Sequence, residues 1–309
     1  MKMREMLVPK DTLNEMMYKA TTRAACIIPR DCRQAIEKGE RLEETEVSRG
    51  PLSFFLETCD AGEKGRTLCP DTGWQIFWVK MGENVRIENG VSSIQDAAKQ
   101  AVARATGEGY LRPHLVHPLT MKNPLNNVGV HAPTVHLQFD PAIDYIEIVS
   151  VCKGGGGELF GGIQRNLAEA DGKKGIIKFV LDCFVHSSYS GKTCPPGIIG
   201  IGIGGTAATS AQLALEAACL RTIGNRHPDK DIAELEDDLL TQFNSLGIGP
   251  MGMGGKTSAL DVHIEYALTH FAGISVSFNT FCCVIRRATA RLDPSGRIEY
   301  GDAPSWNYR

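Results

Sequence analysis

Three cysteines, far apart in a chain of 309 residues, stand in frames of glycine and proline that suit neither a helix nor a strand interior. The frames read Leu68-Cys69-Pro70-Asp71-Thr72-Gly73, Lys192-Thr193-Cys194-Pro195-Pro196-Gly197 and Phe281-Cys282-Cys283-Val284. Proline and glycine fix unusual backbone and let the chain pass close to a bulky ligand. Thiolates are the soft ligands that hold iron–sulfur clusters. The frames therefore predict a fold that brings distant loops around a cluster inside an enzyme site, with one iron left open for substrate.

The remaining cysteines favour an ordinary structural role, because most of them stand in apolar surroundings typical of a small buried hydrophobe. They are Cys26, Cys32, Cys59, Cys152, Cys183 and Cys219, and Cys283 adjoins the third frame. Disulfides are not expected, since a chain of this length can bury a core without them.

Charge and hydropathy exclude several classes of partner. The net charge is −3 and the sequence pI is about 6.3, so neither nucleic acid nor an anionic membrane is an expected partner. No apolar run reaches the roughly 18 residues of a membrane helix. The first residues lack the apolar stretch of a signal peptide. We therefore expect a cytoplasmic protein.

The spacing of apolar residues predicts a mixed α+β fold in a single domain over residues 1–309, with mixed sheets and a helical N-terminal segment over about residues 1–66. Strands are predicted at 75–80, 135–139, 145–151 and 197–205, and helices at 92–107, 174–188, 207–223 and 231–245. The strands on either side of Asp140-Pro141 resemble a hairpin. Residues 110–133 are polar and long for a loop without structure, which indicates a function.

Two glycine motifs imitate nucleotide-binding loops without their full pattern. The segment Gly200-Ile201-Gly202-Ile203-Gly204 lies between a predicted strand and a predicted helix, but no second strand with an acidic end follows. Close packing of glycines against the helix, or against a cluster, explains it better. In Gly254-Gly255-Lys256-Thr257 the preceding spacing puts Pro250 where a P-loop needs glycine. Lys256 is left either facing an anion or solvated on a loop.

Other polar residues suggest an anionic substrate. Lys153 is followed by Gly154 to Gly157, whose consecutive N–H groups can form an anion-binding nest, the alternative being a flexible loop. Arg286 and Arg287 put two cations close after Cys282. His263 and His270 lie seven residues apart, which on a helix would put them on one face. A cluster with an open iron and nearby cations suits a dicarboxylate.

Taken in order from about residue 10 to residue 300, these motifs resemble the class I iron–sulfur fumarases, and most closely the alpha subunit of the two-subunit fumarate hydratase and L-tartrate dehydratase group. The matching motifs are Cys69-Pro70-Asp71-Thr72-Gly73, Lys153 to Gly157, Cys194-Pro195-Pro196-Gly197, Gly249 to Thr257 with His263-Ile264-Glu265, and Cys282 with Arg286-Arg287. The resemblance implies a [4Fe–4S] cluster held by Cys69, Cys194 and Cys282. In that family the cysteine ligand stands four residues before a pair of arginines. This spacing from Arg286 selects Cys282 over Cys283.

The resemblance also implies a hydro-lyase that interconverts fumarate and malate, with L-tartrate or mesaconate as alternative substrates. Its substrate-site residues would be Asp71, Arg112, the loop Gly154, Gly155, Gly156 and Gly157, and His270; Lys256 is added as the cation expected to face the anionic substrate. Gly157 and Phe271 replace the serine and proline common at these places, which bears on substrate choice. A beta subunit, in a heterodimer or a dimer of heterodimers, would cover the cluster and supply the base.

Two other classes of protein remain open from the residues alone. An iron–sulfur redox or electron-transfer protein would close its cluster with four cysteines, which would require Cys283 or Cys152 to reach the iron. A zinc-supported structural protein would likewise use four closed ligands.

Overall fold

The computed structural model describes residues 5–189 and 191–306, which divide into two compact units. The first unit comprises 5–29, 59–153 and 286–306; the second comprises 30–58, 154–189 and 191–285. Each unit combines helices with strands in mixed sheets, which confirms the predicted α+β class. The prediction of one domain over 1–309 stays a prediction.

The helices are α1 Lys10–Cys26, α2 Arg30–Leu42, α3 Glu46–Glu63, α4 Ser93–Gly107, α5 Gly172–Ser188, α6 Ala207–Leu220 and α7 Lys230–Ser245. The strands are β1 Met6–Val8, β2 Trp74–Met81, β3 Val85–Ile87, β4 Thr134–Phe139, β5 Ile146–Lys153, β6 Ile163–Ala168, β7 Gly197–Ile203, β8 Ala259–Tyr266, β9 Gly273–Phe281, β10 Arg287–Leu292 and β11 Ile298–Gly301. The first three helices confirm the helical N-terminal segment. Among the described residues, none of the helices is long and apolar enough to cross a membrane.

The first unit contains a five-stranded sheet in the order β11-β10-β5-β2-β4 and a small parallel pair, β1 with β3. In the large sheet only β2 and β4 run parallel. The predicted hairpin of β4 with β5 is therefore wrong, because β2 lies between them. Residues 75–81 of β2 are all buried, and a strand apolar on both faces belongs in the middle of a sheet.

Helices α1 and α4 cover one face of this sheet. Their apolar residues recur every three or four positions, as Leu13, Met16, Met17 and Ala20 do in α1. These side chains pack with Phe77 and its neighbours from the sheet. This core holds the strand that follows the Cys69 frame.

The second unit contains a four-stranded sheet in the order β6-β9-β7-β8, in which only β7 and β8 run parallel. Ile199 and Ile201 of β7 point to the face covered by α5 and α7. Gly200 and Gly202 face α6. Successive residues of β7 therefore alternate between a face of isoleucine side chains and a face without side chains. His263 lies in β8, so its seven-residue spacing from His270 does not put the two histidines on one face of a helix.

The glycines of β7 allow α6 to approach the sheet closely. A Cβ atom at Gly200 would lie 2.1 Å from the Ala214 carbonyl oxygen, and one at Gly202 would lie 1.9 Å from that of Ser210. Both distances are far inside van der Waals contact. The close-packing interpretation of the glycine motif is thus confirmed.

Replacing Gly202 with alanine should lower the free energy of unfolding by about 3 kcal/mol, since overpacking against a backbone carbonyl forces the helix to move. The control is Gly107→Ala at the end of α4, where nothing lies within 4 Å of the added Cβ. Urea unfolding of both variants checks this, and equal stabilities would contradict it.

Candidate active site

The second unit brings Cys194 and Cys282 close together. Cys194 lies three residues before β7 and Cys282 directly follows β9, and these strands are antiparallel neighbours with Ile198 opposite Phe281. The Cys283 N–H donates to the Cys194 carbonyl oxygen at 3.0 Å. Cys194 is exposed and Cys282 is partly exposed, and both residues lie at the same end of the sheet.

The glycine loop packs against the same two segments. Its residues Gly156–Phe160 form a π-helical turn, a rare conformation that is frequent at functional sites. A Cβ at Gly156 would lie 2.5 Å from the Lys192 carbonyl oxygen, and one at Gly161 would lie 2.3 Å from Cγ2 of Thr280. Glycine is required here because the cysteine-bearing loops approach so closely.

Asn279 joins this loop to β9 and was missed by the sequence reasoning. Its side chain is buried, and its Nδ2 donates to Oε2 of Glu158 at 3.3 Å. Asn279 stands three residues before Cys282. Ser275, Ser277 and Thr280 are also buried polar residues of β9, so the sequence of the strand does not single out Asn279.

The first unit brings together Asp71 and Arg112, two of the predicted site residues. The Arg112 N–H donates to Oγ1 of Thr72 at 3.1 Å, and Nδ1 of His114 lies 3.1 Å from Oδ1 of Asp71. The Arg286 guanidinium donates to the Asp71 carbonyl oxygen. The residues after Cys69 are therefore tied to the polar segment predicted to be functional.

Asn127 organises that polar segment from within. Its Oδ1 accepts from the N–H groups of His114 and Leu115, while Nδ2 donates to the Arg112 carbonyl oxygen and to Oγ1 of Thr106. Asn127 is 2% exposed and has a φ of +57°, a conformation that asparagine tolerates better than most residues. The polar character of residues 110–133 was the one sequence signal for this residue.

Accessibility separates the ten cysteines into two groups. Cys69, Cys194 and Cys282 are partly or fully exposed, and the other seven are buried. Burial raises the pKa of the Cys152 thiol to about 11, although the nearby Arg286 lowers it, and burial raises the pKa of Cys183 to about 12. Both thiols are buried, unlike the three cysteines in the glycine and proline frames.

Cys69 belongs to the first unit, whereas Cys194 and Cys282 belong to the second. Over residues 5–189 and 191–306, no group of three or more His, Cys, Asp or Glu side chains is arranged to hold a metal ion. Three fully buried cations, Lys153, Arg286 and Arg287, lie in the first unit.

His270 lies in the exposed turn between β8 and β9, away from the cysteines of its own unit. The nine residues of β9 separate it from Cys282, which corresponds to about 30 Å of strand. Its Nδ1 accepts from the Ala272 N–H at 3.1 Å, and its ring stacks on Phe271. One copy of the chain does not bring His270 together with Cys194 and Cys282.

Lys256 is exposed, and its ammonium pairs with Glu44. Its backbone N–H and that of Thr257 donate to the buried carboxylate of Glu43, at 3.0–3.1 Å and 2.7 Å. The Glu43 carboxylate thus holds the backbone of the loop Gly254-Gly255-Lys256-Thr257, and the Lys256 side chain stays at the surface.

The stability of this loop should depend on pH through Glu43. Burial acts to raise its pKa, but hydrogen bonds from Thr257, Lys256 and Ser48 leave the pKa below its ordinary value of 4.5. A lowered pKa gives stability that is full above pH 4.5 and is lost as the pH falls through the lower, folded-state value. Glu43→Gln should cost about 1–3 kcal/mol at pH 7, and the difference should shrink in acid.

Urea unfolding from pH 7 down to pH 3 measures this, with the exposed neighbour change Glu44→Gln as control. An equal cost for both variants at every pH would contradict the role of Glu43.

The sequence matches known proteins over most of its length. Residues 14–291 match the family described as fumarate hydratase (Fumerase). A putative L(+)-tartrate dehydratase subunit alpha of Methanocaldococcus jannaschii is 40% identical over 288 residues, which cover 93% of this chain and 99% of that protein. The L(+)-tartrate dehydratase subunit alpha of Escherichia coli K12 is 34% identical over 281 residues, which cover 90% of this chain and 89% of its own length.

These matches confirm the resemblance seen in the cysteine and glycine motifs, and they extend it to the helices and strands between them. The chain belongs to the fumarate hydratase (Fumerase) family and is a hydro-lyase.

Proposed function

We propose that the chain is the alpha, cluster-binding subunit of a [4Fe–4S] hydro-lyase that interconverts fumarate and malate. The observation that carries this proposal is that the three cysteines in glycine and proline frames are also the three that are not buried. The names of the relatives favour L-tartrate as the second candidate substrate. Mesaconate is a third.

Cys69, Cys194 and Cys282 would hold the cluster. Accessible thiols on loops can reach a bound cluster, whereas the Cys152 and Cys183 side chains are buried. A bound cluster would supply a Lewis-acidic iron that stabilises the hydroxide leaving a 2-hydroxy dicarboxylate. Cys283 would take no part, because its side chain is buried.

The chain's own polar groups would bind the substrate and move its proton. The Arg112 guanidinium matches a carboxylate with two parallel hydrogen bonds, and its backbone is fixed by Thr72 and Asn127. The Asp71 carboxylate would orient the leaving water or take part in proton transfer. Backbone N–H groups of Gly154, Gly155 and Gly156 would donate to the other carboxylate.

Two further residues would act at the edges of the site. Lys256 would attract the dianion, and its exposed pair with Glu44 is weak enough to open. His270 lies at the far end of β9 from Cys282, so its carboxylate-binding role requires a second copy of the chain to present it. A dimer of heterodimers would supply that copy.

A beta subunit would cover the cluster and contribute the base, in keeping with the "subunit alpha" in the names of the relatives. We place the enzyme in the cytoplasm, where thiols stay reduced. No nucleic acid or membrane enters the proposal.

The test is to co-express the chain with its beta subunit, reconstitute the complex anaerobically, and measure kcat/KM for fumarate, L-malate, L-tartrate and mesaconate. We expect turnover of one pair, and a change in the electron paramagnetic resonance signal of the reduced cluster when that substrate is added. A cluster with four thiolate ligands, unaffected by any of these substrates and without lyase activity, would favour an electron-transfer protein instead.

A further inference from the structure

We propose that His114 is a positioning residue that fixes the Asp71 carboxylate, an inference that rests on the proposed role of Asp71. Nδ1 of His114 lies 3.1 Å from Oδ1 of Asp71. In the tautomer with the proton on Nδ1, the imidazole donates a hydrogen bond to this carboxylate oxygen. The ring thereby selects one orientation of the carboxylate.

Hydrogen bonds hold the backbone of both His114 and Asp71 in place. The His114 N–H donates to Oδ1 of Asn127 at 2.9 Å, and Asn127 is itself held by Thr106. On the other side, the Arg286 guanidinium donates to the Asp71 carbonyl oxygen. Because these hydrogen bonds hold both backbone segments in place, the fold sets the distance between the imidazole and the carboxylate.

The exposure of the two side chains supports a functional pair. The Asp71 side chain is 43% exposed, so without a partner its carboxylate would sample several rotamers in contact with water. The His114 side chain is 21% exposed, and its Nε2 is buried with no hydrogen-bond partner among the residues the structure describes. The arrangement therefore favours control of Asp71 over a structural role for the ring.

The proposal is tested in the reconstituted two-chain enzyme with the best substrate among fumarate, L-tartrate and mesaconate. The variants are His114→Ala, His114→Asn, Asp71→Ala and the double variant His114→Ala/Asp71→Ala. Asparagine places an N–H donor near the position of Nδ1 but has no counterpart of Nε2. The matched control is His117→Ala, an exposed histidine in the same segment whose Nδ1 accepts from the N–H groups of Leu119 and Thr120.

We expect His114→Ala to lower kcat about 10- to 100-fold with KM little changed, as for the loss of a hydrogen bond to a charged group. His114→Asn should recover most of the lost kcat, and His117→Ala should keep the wild-type value. In the Asp71→Ala background, His114→Ala should cause no further loss, because a residue that acts through another shows strong coupling. Iron content and the substrate-induced change of the resonance signal should persist in His114→Ala.

Wild-type kcat in His114→Ala, no rescue by asparagine, or additive losses in the double variant would each overturn the inference about His114. Wild-type turnover in Asp71→Ala would instead overturn the proposed role of Asp71 itself, and His114 with it.

Discussion

Replacing Cys282 with serine should remove the cluster and abolish turnover, whereas replacing its neighbour Cys283 should do neither. Cys282 is partly exposed at the end of β9. The Cys283 side chain is 3% exposed, its N–H donates to the Cys194 carbonyl oxygen, and its own carbonyl oxygen accepts from Sγ of Cys32. These backbone hydrogen bonds and the burial of Cys283 support Cys282 as the proposed ligand.

The measurement is iron and sulfide per chain after anaerobic reconstitution, followed by turnover. The two variants control for each other, since they make the same chemical change one residue apart. Loss of the cluster in Cys283→Ser together with its retention in Cys282→Ser would reverse the assignment.

The second large effect is the dependence of turnover on the beta subunit. The reconstituted alpha chain alone should hold a cluster yet turn over about 100-fold or more slowly, because loss of a general base costs at least that factor. The described residues offer Asp71 and Arg112 in one unit and the glycine loop in the other, while His270 lies away from the cysteines of its unit. The relatives are named as alpha subunits, which supports the proposal that a second polypeptide completes the site.

Titrating beta subunit into a fixed amount of reconstituted alpha chain should restore activity with an endpoint at one to one. The beta subunit alone is the control and should be inactive. Full activity of the alpha chain by itself would refute a divided site and indicate a self-sufficient enzyme.

Local pattern was enough to predict the helices and to place four of the eleven described strands, but not to predict how the strands pair. The strands at 135–139 and 145–151 were found near their predicted places, yet β2 separates them. A hairpin is a local preference, whereas burial of β2 on both faces is a property of the whole sheet. His270 shows the same limit, because its distance from Cys282 depends on the direction of β9 and not on spacing along the chain.

The sequence predicted those candidate site residues whose side-chain type itself indicates a chemical role. Asp71 and Arg112 do lie in one unit, as do Cys194 and Cys282. His114, Asn127 and Asn279 were missed because each acts through a contact with a residue distant in sequence or through burial. Nothing in the local pattern distinguishes such residues from ordinary polar ones.

The contact of β7 with α6 also bears on how this family can be recombined. Since Gly200 and Gly202 leave room only for the backbone that now lies over them, the strand and the helix are matched surfaces. A crossover between homologous genes that falls between codons 202 and 210 would join a strand from one parent to a helix shaped for another. A crossover between residues 115 and 127 would likewise separate Asn127 from its partners Arg112 and His114.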